Sequence, residues 1–153
     1  MRLFFALSAA VISAAPLAAQ ELSALPAPLQ AELERAAADC AGFEAGQFTL
    51  EDGAVSRVDL DGDGAPDWVL YSRFFSCSSA HSFYCGTGGC MAYFLVGETV
   101  TPILTKGWDL ADLGPFRVLL TQIHGSECGG INLAPCVRAQ VWDPDSHSWR
   151  HTE

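Results

Sequence analysis

Apolar residues near the start of the chain recur at helical intervals. Within residues 28–41 they lie three or four positions apart, which places them on one face of an α-helix. These residues are Leu29, Leu33, Ala36, Ala37 and Cys40. Pro28 suits the first turn of such a helix, and Gly42 suits its end. The pattern therefore predicts an amphipathic helix that packs on the rest of its own fold.

After residue 46 the pattern changes to short runs rich in β-branched and aromatic residues, separated by turn residues, which is typical of strands. The turn sequence Glu51-Asp52-Gly53 predicts a hairpin between residues 47–50 and 54–59. Residues 106–115 are predicted to be a loop. Further strands are predicted at residues 68–74, 90–96, 99–105, 116–124, 137–142 and 147–151.

The most apolar of these strands is residues 116–124. Alternation places Val118 and Leu120 on one face of it and Leu119 on the other. Because the run is almost continuously apolar, we expect an interior strand with both faces covered.

The predicted fold class is α+β, with one N-terminal helix packed on a mainly antiparallel β-sheet and stapled by disulfides. We expect the helix to cover one face of strand 116–124 through Leu29 and Leu33. Trp142 and Trp149 flank the last turn and are expected to form a hydrophobic pair across two strands.

The chain begins with the plan of a secretory signal peptide. Arg2 is followed by an apolar run at residues 3–12 and by an alanine-rich stretch at 13–19. The run is shorter than the roughly 20 residues that span a membrane, which favours cleavage over an uncleaved anchor. We therefore predict a signal peptide at residues 1–19, a single domain at residues 20–153 with no membrane span, and a periplasmic or secreted location.

The chain is strongly acidic. It has 18 Asp and Glu against 8 Lys and Arg, which gives a net charge of −10. This charge argues against nucleic acids and anionic membrane surfaces as partners.

Six cysteines follow the predicted export signal, and an even number in an oxidising compartment indicates up to three disulfides. Cys128 and Cys136 bracket a loop that contains Gly129 and Gly130, and they are predicted to pair. The other four are predicted to pair as Cys40–Cys77 and Cys85–Cys90, with Cys40–Cys90 and Cys77–Cys85 as an open alternative. Zinc is disfavoured because the spacing within residues 85–90 is not that of a zinc knuckle.

Residues 59–67, here called the aspartate loop, carry the most specific chemical signal in the chain. Gly62 and Gly64 allow the backbone to bend between the carboxylates. Calcium prefers six to eight oxygen ligands from carboxylates and backbone carbonyls, and it would relieve the repulsion in such a loop. The carboxylates belong to Asp59, Asp61, Asp63 and Asp67.

The spacing agrees only in part with an EF-hand loop. Asp59, Asp61 and Asp63 match its first, third and fifth positions. Leu70, however, stands where an EF-hand needs a bidentate glutamate, and Pro66 removes an N–H that paired EF-hand loops use. The flanking residues are also typical of strands, whereas an EF-hand loop is flanked by helices.

A strand–loop–strand unit with this spacing resembles the calcium loop of FG-GAP repeats in integrin-type propellers. That resemblance implies calcium ligation by the side chains of Asp59, Asp61, Asp63 and Asp67 and by the carbonyl of Ala65. A propeller is not expected, because the chain has no second copy of the loop. The alternatives are an acidic turn without bound metal and a site for another metal.

The chain after residue 19 also resembles a group of uncharacterised bacterial exported proteins. They share one aspartate loop, a C-G-x-G-G-C run, an H-G-x-x-C segment and a late tryptophan. Here these features are residues 59–67, 85–90, 124–128 and Trp142. The resemblance implies no function.

Two functions of different kinds are compatible with these residues. The favoured one is an exported, calcium-binding, disulfide-stabilised domain with a non-catalytic binding or structural role in the cell envelope, whose partner is an unidentified envelope protein or ligand. The alternative is an envelope hydrolase, or an inhibitor of one, that uses residues 75–89 with His81 or His124. The chain lacks a G-x-S-x-G nucleophile elbow, which favours the first reading.

Overall fold

The computed structural model of the protein describes residues 24–151, so the predicted signal peptide lies outside the described residues. In this part of the chain one α-helix is followed by eleven strands. No helix among residues 24–151 is both long and apolar enough to cross a membrane. The elements are α1 (Ala27–Gly42), β1 (Phe48–Leu50), β2 (Val55–Val58), β3 (Asp67–Tyr71), β4 (Phe75–Cys77), β5 (Cys85–Gly86), β6 (Gly89–Val96), β7 (Thr99–Thr105), β8 (Gly107–Leu113), β9 (Phe116–Ile123), β10 (Cys136–Asp143) and β11 (Ser148–His151).

The strands form three antiparallel sheets. The smallest sheet pairs β1 with β4. The middle sheet runs β2, β3, β6 and β7, and the short β5 pairs with the start of β6. The outer sheet has the order β11, β10, β9, β8. Short turns join most neighbouring strands, as expected of antiparallel sheets.

The main core lies between the middle and outer sheets. Phe94 of β6 and Leu119 of β9 are both 0% exposed at its centre. Trp142 and Trp149 are register partners on β10 and β11 with ring centroids 5.4 Å apart, so the predicted cross-strand pair is confirmed. Phe94 contacts Trp149 edge to face, which joins the two sheets.

The helix packs on the opposite face of the middle sheet. Leu29 is fully buried there in a cluster with Leu70 and Leu95. Two hydrogen bonds fix the helix, one from the Tyr84 hydroxyl to the Ala36 carbonyl and one from Arg35 to the Tyr93 hydroxyl. The domain therefore has three layers: the helix with the smallest sheet, the middle sheet, and the outer sheet.

The α+β class with one N-terminal helix and mostly antiparallel strands is confirmed, but the prediction of a single sheet is wrong. Strand β9 lies inside the outer sheet, between β8 and β10, as predicted. The helix does not cover it, because the middle sheet lies between them. Leu29 and the partly buried Leu33 contact the middle sheet instead.

Two local predictions are also wrong. A turn does form at residues 51–54, where the Ala54 N–H donates to the Glu51 carbonyl. It does not make a hairpin, because β1 pairs with β4 and β2 pairs with β3. The predicted loop at residues 106–115 is mostly strand β8, which pairs with β9 along its whole length.

All three disulfides predicted from the cysteine spacing are confirmed. Cys40–Cys77 joins the end of the helix to β4, Cys85–Cys90 links β5 to β6, and Cys128–Cys136 closes the connection between β9 and β10. No free cysteine remains among the described residues. The Cys40–Cys77 bridge thus links the helix to the smallest sheet, within the layer farthest from the outer sheet.

Candidate metal centre

The aspartate loop connects two paired strands of the middle sheet. Its ends are fixed because Val58 of β2 is the register partner of Asp67, the first residue of β3. Leu60 is 0% exposed and anchors the loop in the main core. This buried side chain between Asp59 and Asp61 holds the acidic loop against the fold.

Two glycines produce the tight bend of the loop. Gly62 and Gly64 have φ angles of 86° and 87°, in the left-handed region that other residues rarely adopt. A side chain at Gly62 would also meet the Cβ atom of Arg117 at 3.2 Å. The bend therefore depends on glycine at both positions, and more strongly at Gly62.

Each carboxylate of the loop accepts backbone hydrogen bonds from within the loop. Asp59 accepts from the N–H groups of Gly62 and Gly64, at 2.7 and 3.1 Å. Asp67 accepts from the Leu60 N–H at 2.9 Å. Asp61 accepts from the Asp63 N–H, and Asp63 from the Ala65 N–H. These bonds fix the orientation of the four carboxylates.

Three of the predicted ligands converge. One carboxylate oxygen each from Asp59, Asp61 and Asp67 lies within 4.8 Å of the other two. Asp63 does not belong to this cluster, and Asp63 and Ala65 are both exposed. Of the four aspartates predicted as ligands, the structure thus brings Asp59, Asp61 and Asp67 together.

The cluster carries more negative charge than its surroundings compensate. Burial raises the pKa of the Asp67 carboxyl, the hydrogen bond from the Leu60 N–H opposes this, and the negative charges of Asp61, Asp63 and Asp59 raise the pKa further. Within the described residues, the one ion pair to these carboxylates comes from Arg117 and reaches Asp59.

Arg117 is shared between two acids. It lies 3.8 Å from Asp59 and 3.2 Å from Asp112, and its Nε atom is buried without a hydrogen-bond partner in the described structure. The Arg57 guanidinium donates to the Pro66 carbonyl at 2.7 Å and stacks on Trp68. Arg57 therefore contacts the backbone of the aspartate loop and not its carboxylates. The loop therefore keeps an excess of negative charge.

The cluster satisfies the distance requirement for calcium. Calcium binds oxygens at about 2.3–2.6 Å, so two oxygens of one coordination shell lie at most about 5 Å apart. The three converging oxygens meet this limit. A hard cation also suits a set of donors made only of carboxylate and carbonyl oxygens.

The two histidines of the alternative prediction differ in their surroundings. His81 is exposed in a turn. The His124 Nδ1 atom accepts from the Ser126 N–H at 3.2 Å and lies 2.7 Å from the Ser126 hydroxyl, which caps the short 3₁₀ helix Gly125–Cys128. Glu127 lies 4.0 Å from Arg138 instead of orienting the imidazole. The described contacts of His124 are those of a capping residue.

The sequence analysis missed two residues of the candidate site. Leu60 could have been found, because an apolar residue between two aspartates of an acidic loop indicates an anchor. Arg117 gives no local signal, because it lies on β9 and reaches the aspartate loop only in the folded protein.

Comparison of the chain with protein-family models, with curated proteins and with solved structures finds no significant match.

Proposed function

We propose that the aspartate loop binds a calcium ion and that this ion stabilises a small exported domain. The observation that carries the proposal is that one carboxylate oxygen each of Asp59, Asp61 and Asp67 lies within 4.8 Å of the others, while among residues 24–151 the one ion pair to them is from Arg117 to Asp59. Four carboxylates beside one shared cation repel one another, and a divalent cation offsets that repulsion.

In this proposal the residues have separate roles. Asp59, Asp61 and Asp67 contribute side-chain oxygens from the existing cluster. Asp63 and the Ala65 carbonyl complete the shell after a small adjustment at the exposed side of the bend. Backbone hydrogen bonds already orient the side chains, which lowers the entropy cost of gathering them around an ion.

The wider role we propose is non-catalytic binding, or a structural part, in the periplasm or outside the cell. Three disulfides suit an oxidising compartment. The partner is an envelope protein or ligand, and calcium keeps the surface around the aspartate loop in one conformation. The capping arrangement of His124 favours this role over hydrolysis.

The test is thermal unfolding of the oxidised protein in calcium and in chelator. At a calcium concentration a hundredfold above Kd, binding to the native state alone adds about 2.7 kcal/mol, or about 10 °C in Tm for a domain of this size. Asp61→Asn should remove most of this shift.

Asp52→Asn is the matched control, because Asp52 is an exposed acid in the turn between β1 and β2. It removes the same charge without touching the aspartate loop and should keep the full shift. Equal melting of the unmodified protein with and without calcium would contradict the proposal. Loss of the shift in both variants would indicate a general charge effect instead of a site.

A further inference from the structure

A cleft of about 310 Å³ lies between the middle and outer sheets, near the end of β9. The outer sheet contributes Ile123, Arg138 and Gln140, which share the inner face of that sheet with the buried Leu119. The middle sheet contributes residues 102–104 of β7. This volume is at the small end of the range of ligand pockets, so the cleft suits a small molecule.

The cleft lies on the covered face of β9. On the other face of this strand Phe116 is 57% exposed, and its register partner Leu113 is 61% exposed. Within residues 24–151 no element packs on that side, so the prediction that both faces of β9 are covered is not met. The cleft differs from that open surface because it has a wall on each side and polar groups inside it.

Two segments that stand out in the sequence come together at this cleft. Gly88 belongs to the C-G-x-G-G-C run, whose two cysteines are bridged to each other. His124 and Glu127 belong to the H-G-x-x-C segment, whose cysteine is bridged to Cys136. Both disulfides hold the lining backbone in place, which lowers the entropy cost of binding a ligand.

The most buried polar side chain of the cleft is only partly hydrogen-bonded. Gln140 is 6% exposed, and its Nε2 atom donates to the Thr121 hydroxyl at 3.2 Å. Within residues 24–151 its Oε1 atom accepts no hydrogen bond, although this atom is not sealed off from the cleft. A largely buried oxygen without a donor costs free energy, so this atom favours a ligand that carries an N–H group.

Two hydrogen-bond donors line the same cleft. Arg138 lies 4.0 Å from Glu127, so the two charges attract each other but share no hydrogen bond. His124 accepts from the Ser126 N–H at Nδ1, so the neutral imidazole carries its hydrogen on Nε2. Arg138 and His124 therefore offer donors to a carboxylate, whereas Glu127 and Gln140 offer acceptors to an ammonium group.

We propose that this cleft binds a free α-amino acid with an apolar side chain. The ligand carboxylate binds the Arg138 guanidinium and the His124 Nε2–H group. The ligand ammonium group binds the Glu127 carboxylate and the Gln140 Oε1 atom. The apolar side chain packs on the apolar residues that β7 and the end of β9 contribute to the cleft.

A ligand with both charges suits this cleft better than a simple anion. The net charge of −10 repels anions from the protein as a whole. A carboxylate alone on Arg138 would also leave Glu127 without a counter-charge. A zwitterion places an opposite charge on each of them, so that no charge in the cleft is left unpaired.

This inference does not depend on calcium binding. Arg117, which contacts the aspartate loop, lies near the start of β9, whereas the cleft lies near the end of that strand. Amino-acid binding is therefore expected with calcium and with chelator alike, and either proposal can fail without the other.

The experiment is isothermal calorimetry of the oxidised exported chain with L-leucine, L-valine and L-phenylalanine. At least one of them should bind one site per chain with a dissociation constant of roughly 10–1000 µM. For leucine, the comparison compounds are glycine, isocaproate and leucinamide, which lack the apolar group, the ammonium group and the carboxylate. Each should bind at least about tenfold more weakly than the amino acid that it resembles.

Two variants test the residues assigned to the ligand. Arg138→Met should weaken binding by at least about tenfold, because it removes the charge and keeps most of the length of the side chain. Arg150→Met is its control, because Arg150 lies on the neighbouring strand β11 and does not line the cleft. Gln140→Met should also weaken binding, and Gln122→Met, on the opposite face of the outer sheet, should not.

The melting temperature of each variant shows that the protein compared is folded. The proposal is overturned if none of the three amino acids gives a saturable heat up to about 10 mM. It is also overturned if isocaproate or leucinamide binds as tightly as leucine, or if folded Arg138→Met or Gln140→Met keeps the original affinity.

Discussion

Two loops of this protein join neighbouring antiparallel strands and are held in different ways. The aspartate loop joins β2 to β3 and is organised by hydrogen bonds from its own backbone to its carboxylates. The connection from β9 to β10 is closed by the Cys128–Cys136 disulfide and by a hydrogen bond from the Gly130 N–H to the Gly125 carbonyl. Below, the second is called the stapled loop.

The two loops also differ in what they bury. The aspartate loop inserts Leu60 fully into the core, whereas Leu133 of the stapled loop is 89% exposed. One loop is thus held by an apolar anchor but carries unbalanced charge, and the other has a covalent closure and little packing. From this difference we expect the aspartate loop to gain stability when a cation balances its charge, and the stapled loop to be unaffected by cations.

The largest expected effect comes from removing the anchor of the aspartate loop. Leu60→Ala should lower the free energy of unfolding by about 3 kcal/mol, since it leaves a cavity in the main core. Leu133→Ala makes the same change in the stapled loop and should have almost no effect. Urea denaturation of both variants measures the difference. Similar midpoints for the two variants would contradict the contrast between the loops.

Opening the stapled loop should have a smaller effect. Cys128→Ser combined with Cys136→Ser should cost about 2.5 kcal/mol by the loop-entropy relation for a short bridge. The shift in Tm that calcium causes should not change, because the two loops are closed independently. Thiol titration of the denatured variant should still find no free thiol. A lost calcium response would show that the loops are coupled.

The two glycines of the aspartate loop should differ in cost. Gly62→Ala and Gly64→Ala both force a side chain into a left-handed backbone, at about 1 kcal/mol each. Only the first also meets Arg117 at 3.2 Å, while the second meets nothing within 4 Å. We expect Gly62→Ala to cost about 1 kcal/mol more. Equal unfolding midpoints would mean that the contact with Arg117 does not constrain the loop.

The smallest effect concerns Asp143, which precedes the last turn. Hydrogen bonds from the Ser146 hydroxyl and from Arg150 lower the pKa of its carboxyl from 3.8 to about 2. A lowered pKa in the folded state stabilises the fold above pH 3.8, and this contribution disappears as the pH falls from 3.8 to 2. The unfolding midpoints of Asp143→Asn and the unmodified protein should therefore differ at pH 6 and converge near pH 2.

The control for that measurement is Asp145→Asn, in the same turn, which should show no such convergence. A difference between Asp143→Asn and the unmodified protein that is the same at both pH values would contradict the assignment.

Sequence patterns predicted the features that depend on neighbouring residues. The helical spacing identified α1, the even cysteine count and spacing identified the disulfides, and the turn before residue 148 identified the Trp142–Trp149 pair. In the aspartate loop the spacing selected acids of which three converge. Each of these features is determined within a short stretch or by a covalent rule.

The patterns failed where pairing joins distant residues. The turn at residues 51–54 forms as predicted, but β1 pairs with β4. The sequence of the turn does not indicate which strand β1 pairs with. Strand β8 was missed because Gly107, Asp109 and Asp112 interrupt its apolar residues, although Trp108 and Leu110 alternate towards the core. The division into three layers likewise depends on which sheet face the helix meets, and amphipathicity alone does not decide that.

The most direct test of the account is isothermal calorimetry of calcium binding to the oxidised protein. The account predicts about one site per chain with a dissociation constant on the order of 10–1000 µM, and a much weaker response to magnesium, whose smaller shell fits such a cage poorly. Asp61→Asn should lose the heat of binding, and Asp52→Asn should keep it. No calcium heat, together with an unchanged Tm in chelator, would contradict the account and leave residues 59–67 as an acidic turn.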